Sequence, residues 1–375
     1  MFSKLCMIIF LSAGVAADNA RDLVETAVGL PGKVGDDSAC VNPGTCTEPD
    51  PTLYPFVGGR TALVPRQQWV ESGGFCGALS IQSIAMTYGA YISQDLVRKA
   101  APYQSGSHGD DTLGYEISTQ NILPCLSNLN LNYDSWDSDK QPVPQGQAYL
   151  SWLKKQLSAG AGIVQFVLCA GDEHYIPQDD APPLYFDHIE PFFKIYSKHP
   201  LSDSTVYNDD ILVHGSDYSP DGDENLGYFR TFDSLLDDTD MQGNCANAGT
   251  EWKQNEMYPC LYKNQTYGTA ITGLVNSKNL ISTSLQVNAT SEPDVREGND
   301  PVLFQATLLI GVESGISKGS YVVSRFDGID DFKNQKRSAA YEVECEEDST
   351  EPLEHVDKVL FLSSSSVYYT VEKSN

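Results

Sequence analysis

Apolar residues change their spacing once along this 375-residue chain, and that switch restricts the possible folds more than any other feature. Up to about residue 159 the periodic segments have a helical period; after it, apolar residues come in short β-type runs. Leu79, Ile81, Ile84, Ala85 and Tyr88 line one face of a helix that begins at Cys76 and stops at Gly89. Ser93 is placed to N-cap a second helix over residues 94–99. A third segment, 114–129, is interrupted by Pro124. Tyr149, Leu150, Trp152, Leu153 and Leu157 predict an amphipathic helix over 146–159, with Gly160 as its C-cap. Residues 162–168 read as a buried strand, and further strands are expected at 188–196, 210–216 and 226–232. Helices first and a sheet afterwards is an α+β layout.

A polar connection, 233–263, carries Cys245 and Cys260. Beyond residue 264, short strands are expected near 266–274, 279–288, 301–312, 319–326, 339–345, 357–362 and 366–372. Seven short strands separated by turn residues predict a β-sandwich over 264–375. Gly319-Ser320-Tyr321, at a strand start, resembles the tyrosine corner of fibronectin type III and immunoglobulin-like modules.

Hydrophobic residues make up 41% of the chain and charged residues 20%, which is globular composition with material for a sizeable core. The net charge of -27 repels phosphate backbones and anionic lipid, so neither nucleic acid nor a membrane surface is an expected partner. Lys4, the apolar run Leu5–Leu11 and the small residues 12–17 read as a signal peptide cleaved after Ala17, which predicts a secreted protein. That run is too short to cross a bilayer. Residues 18–60 read as an irregular lead-in, and the sequons at Asn264 and Asn288 suit an extracellular glycoprotein. Eight cysteines remain after the signal. Cys40 with Cys46 and Cys245 with Cys260 are the easiest local disulfides, and Cys169 is the expected second free thiol if Cys76 is one.

Cys76 carries the chemistry. It stands at the first turn of a helix, after Gly73-Gly74-Phe75 and before Gly77. A helix N-terminus contributes about half a positive charge, which favours thiolate over thiol. The flanking glycines would let a substrate backbone approach the sulfur and leave the Cys76 amide as an oxyanion donor. Gln68 is the second oxyanion candidate and Gln67 its fallback. A thiol nucleophile needs an imidazole partner, and His188, 112 positions on, heads the apolar run Ile189-Glu190-Pro191-Phe192-Phe193. An orienting group for the imidazole is expected at Asp217, or else at Asp210.

The segment Gln67 to Ser80, with its Phe75-Cys76-Gly77, resembles the nucleophile region of papain-like cysteine peptidases. It is closest to the peptidase C39-like group and is also similar to the Phe-Cys-Gly of phytochelatin synthases. The Trp152–Val164 helix-Gly-strand unit and the Asp187–Ile195 strand resemble that group's following elements. The resemblance spans about 60–240 and implies a papain-like domain, 61–263, ahead of the immunoglobulin/fibronectin-like sandwich. The whole pattern is also similar to secreted proteins of oomycetes and algae.

The expected activity is hydrolysis of, or acyl transfer across, a peptide or isopeptide bond in a peptide or protein substrate. The alternative is an inactive binding or adhesion protein that reuses the fold, with Pro191 behind the base as its warning sign. In either case the sandwich would offer a surface or glycan contact. Cys169 with His174 is the rival pair, but a cysteine ending a strand lacks the helix field. Asp221, Asp223 and Asn225 alternate as in a calcium loop, yet the glycine comes late, at 227, and the closing glutamate is missing. No spacing calls for a metal or cofactor.

Overall fold

The computed structural model describes residues 49–60, 74–104, 109–110, 114–137, 140, 146–167, 188–215, 227–232, 268–275, 281–287, 302–312, 314–361 and 365–374. Helix α1 (Cys76–Met86) is a core helix, with every residue from Gly77 to Met86 buried. Its buried polar side chains are satisfied locally: Gln82 Nε2 donates to the Ile92 carbonyl at 3.0 Å and Ser80 Oγ to the Cys76 carbonyl at 2.9 Å. Helix α2 (Gln94–Ala100) is capped as expected, Ser93 Oγ accepting from the Leu96 amide at 3.2 Å.

Pro124 does not interrupt a helix. It lies in the first turn of α3 (Ile122–Asn128), where its missing N–H costs no helical bond. Helix α4 (Gly146–Ser158) closes in a Schellman motif, Gly160 N–H to Leu157 at 2.9 Å and Ala161 N–H to Gln156 at 3.0 Å.

The first sheet is antiparallel and seven-stranded. Its strands are β1 (Phe56–Gly59), β5 (Leu131–Ser135), β6 (Gly162–Val167), β7 (His188–Ser197), β8 (Ile211–Gly215), β9 (Gly227–Thr231) and β10 (Gly268–Leu274). The order is β5-β10-β6-β7-β8-β9. One edge of β7 is shared, β6 taking His188–Phe192 and β1 taking Lys194–Ser197. Pro191 is tolerated in this inner strand because the ladder to β8 ends at Phe192–His214 and carries a bulge before Lys194.

Two further sheets pack face to face. One is β11 (Thr283–Val287), β12 (Val302–Ile310) and β15 (Leu353–Phe361). The other runs β14 (Ala339–Cys345), β13 (Gly319–Phe326), β16 (Ser366–Lys373) and β2 (Ala90–Ile92). Leu285, Leu308 and Ile310 meet Tyr321, Val323, Val343 and Tyr369 between them. Tyr321 donates its hydroxyl to the Ser317 carbonyl, the contact a tyrosine corner makes. A two-residue pair, β3 (Gly109–Asp110) with β4 (Gly114–Tyr115), and helix α5 (Ile329–Lys333) complete the described elements.

The α+β class holds, but the sandwich is not self-contained. The strand expected to open it, β10, lies between β5 and β6 in the first sheet, where Ala270 and Ile271 are fully buried. In exchange β2, from the N-terminal half, completes the sheet of β13, β14 and β16. That sheet is covered on both faces. Phe326 and Tyr368 turn away from the sandwich and pack with Phe332, Ala85, Leu129 and Ile271. The expected boundary after residue 263 therefore crosses one continuous core. Among the described residues, no helix is long and apolar enough to cross a membrane.

Candidate active site

Helix α1 presents one side chain that is not fully buried, Cys76 at its first position. Nothing on the neighbouring residue caps it: Phe75 is the N-cap without a side-chain hydrogen bond, and the first turn holds no acidic residue. The peptide dipoles of α1 thus point at the half-buried thiol.

The turn before it is held by Arg98, which is 2% exposed. Its guanidinium lies 4.4 Å over the Phe75 ring and donates to the Gly74 carbonyl at 3.4 Å and the Gly114 carbonyl at 3.3 Å. Cation stacking and two carbonyl contacts fix the approach of the chain to Cys76.

Gly74 and Gly77 each leave room for the protein's own side chains. Gly74 has φ +67, and a Cβ there would overlap the Glu116 carboxylate. A Cβ on Gly77 would stand 2.6 Å from Ile117 Cβ and 2.7 Å from Ile189 Cδ1. Both faces are filled by the chain itself.

Ile189 directly follows His188, so that contact brings α1 onto the start of β7. Ser80, one turn below Cys76, repeats the link. Its hydroxyl donates to the Cys76 carbonyl and also lies 3.4 Å from the Ile189 carbonyl. His188 itself is the first residue of β7, opposite Val167 of β6. A sequence separation of 112 (188 − 76) is closed to the distance between a helix turn and the strand it packs on.

Asp210 is removed as an orienting group. It precedes Ile211, which pairs with Tyr196, eight residues up β7 from His188. At about 3.3 Å per residue that is roughly 26 Å. The carboxylate is instead fully buried beside Lys154 of α4, at 3.0 Å, and Lys154 Nζ also donates to the Thr205 carbonyl at 2.8 Å. Gln67, Gln68, Asp217, the rival Cys169 and His174, and the loop of Asp221, Asp223 and Asn225 lie outside the described residues.

No family model matches the chain, and no curated protein matches it. Among solved structures, the clostridial cysteine protease Cwp84 after propeptide cleavage aligns with a TM-score of 0.29 and 11% identity, over 83% of this chain and 81% of that one. Similarity that distant decides neither fold nor chemistry.

Cys125, which an even cysteine count would assign to a bridge, is a buried free thiol on α3. Its Sγ lies 3.4 Å from the Val97 carbonyl, and burial pushes its ionisation far above the usual thiol range. It is a core residue and no rival nucleophile. The Cys40–Cys46 and Cys245–Cys260 pairs and both sequons lie outside the described residues. Sequence reasoning missed Arg98 and Ser80. Arg98 reads as an ordinary basic residue beside Lys99 in the last turn of a polar helix, and nothing local marked Ser80 either.

Proposed function

We propose that the chain is a secreted cysteine hydrolase whose N-terminal unit is papain-like and which acts on a peptide or isopeptide bond. Cys76 Sγ attacks the scissile carbonyl carbon while His188 takes the thiol proton. The tetrahedral oxyanion is held by the Cys76 amide and Gln68. His188 then returns the proton to the departing amine as the C–N bond breaks. Water, activated by the same imidazole, attacks the thioester and releases the acid and the thiol. An acceptor amine in place of water would give transfer with the same residues.

The observation that carries this reading is the Ser80 hydroxyl set between the carbonyls of Cys76 and Ile189, which ties the thiol's helical turn to the strand start that bears His188. The direction of β8 supports Asp217 as the orienting residue. Its Gly215 end, not its Ile211 end, runs beside the His188 end of β7.

Reaction of the native protein with an epoxide-type cysteine-enzyme probe, followed by peptide mapping, tests the assignment. One label on the Cys76 peptide is expected, absent in Cys76→Ala and slowed about 100-fold or more in His188→Ala. Equal labelling in His188→Ala, or a label that maps elsewhere, overturns it.

A further inference from the structure

The inter-sheet core of the sandwich buries a histidine that the proposed chemistry does not use. His355 on β15 is 4% exposed, and neither ring nitrogen has a hydrogen-bond partner. A buried imidazole with no partner is tolerable only while neutral. Its ring sits 4.7 Å from that of Tyr341, on β14 of the opposite sheet.

The surroundings offer a proton little compensation. On its own strand the same face carries Leu353 and Asp357. From the adjacent β12 it meets Leu308, directly opposite, flanked by Ala306 and Ile310. From β11 comes Leu285, again without charge. The facing sheet supplies Tyr341 and Cys345 from β14, Tyr321 and Arg325 from β13, Tyr369 from β16 and Tyr91 from β2. Asp357 is therefore the only carboxylate among these groups, and it is engaged.

Arg325 Nη1 donates to it at 2.9 Å, Tyr369 at 3.0 Å and Tyr341 at 3.1 Å. These three donors come from three strands of one sheet and the acceptor from the other, so the Asp357 cluster clamps the sandwich together. Asp327 adds a second carboxylate to Arg325 at 2.9 Å. An imidazolium two residues from Asp357 would compete with Arg325 for the same oxygens.

We propose that His355 is an acid-sensitive latch of the sandwich: neutral, it packs between β12 and β14; protonated, it becomes a buried cation that draws on Asp357 and loosens the two sheets. Burial lowers its proton affinity in the folded chain, and the Asp357 charge opposes that only in part. The sign follows. Above the ordinary imidazole value of 6.5, both folded and unfolded chains are neutral at this site and the stability is complete. Below it the unfolded chain takes up the proton first, so stability is lost as pH falls toward the lower folded value.

Urea unfolding of the full chain between pH 8 and pH 5 tests this, with amide exchange on β14 and β15 corrected for intrinsic rates. The wild type should lose up to about tenfold in its folding equilibrium constant per pH unit below 6.5, and exchange on β14 and β15 should rise first. His355→Leu, which keeps the volume and removes the proton site, should flatten that dependence. Should the variant not fold, the wild-type imidazole titration followed by NMR decides, with a midpoint below 6.5 and coupled to loss of β15 protection expected. Parallel pH profiles for the two proteins, or a native titration at the ordinary value with β15 still protected, would overturn the latch.

Discussion

Lys154 and Asp210 form an ion pair with side chains 2% and 0% exposed, and truncating one partner isolates the other in the core. Lys154→Met should therefore cost about 3–5 kcal/mol, measured by denaturant unfolding, because the Asp210 carboxylate keeps its desolvation penalty and loses its counter-charge. Lys154→Met with Asp210→Leu should recover most of that loss, since replacing both members of a buried pair is close to neutral. From the sequence alone Lys154 belongs to the polar side of an amphipathic helix and Asp210 opens an expected strand, where it was the second choice for orienting the imidazole. Only their burial, together with the Thr205 carbonyl that completes the lysine's shell, reveals a structural role. Cys76 is the opposite case. Its position before a core helix and between glycines was legible without coordinates. What those glycines are for was not.

Elements came through the sequence in proportion to how far local chemistry decided them. The Ser93 cap and the Gly160 stop were legible because cap residues act on amides and carbonyls within a few positions. Pro124 was misread because its tolerance depends on which helical turn it occupies, a matter of one or two residues. The packing of α1 on β7 was invisible, since it depends on Ile117 and Ile189 filling the space that a side chain at 77 would need. Gly77→Ala should push α1 away from β7, lowering stability by about 1–3 kcal/mol. It should also slow epoxide labelling of Cys76 by more than it changes the reaction of a surface thiol introduced as a control. Unchanged labelling with lowered stability would separate helix packing from the site.

At the scale of the whole molecule, the two halves trade strands. Cutting the chain after residue 263 removes β10 from between β5 and β6 and leaves β2 without β16. It also strips Phe326, Phe332 and Tyr368 from the core that α1 shares. Such a fragment exposes two strand edges and a large apolar face. It should fail to fold, with near-ultraviolet dichroism lost and rapid proteolysis. A cooperative unfolding transition in the fragment would show that the N-terminal unit stands alone. The same coupling means that acid loosening of the sandwich would be felt by a sheet that also lies against the core of α1.

Local physics was enough to determine the class of the longer segments, but not of β1, which lies in the expected irregular lead-in, or of β2, β5 and α5, whose few residues carry no period of their own. Helical against alternating spacing, caps, and a cysteine at a helix start are readable because their causes lie within a few residues. Sheet partners are another matter. The edges of β10 and β2 each present backbone groups that any strand of the right length could satisfy, and burial of Ile271 or Tyr91 is equally favourable wherever an apolar surface is offered. Which strand lies beside which, whether Asp210 meets an imidazole or an ammonium, and what stands against Gly77 were settled by side chains tens of positions or more apart competing for the same volume. Tertiary structure alone could decide them.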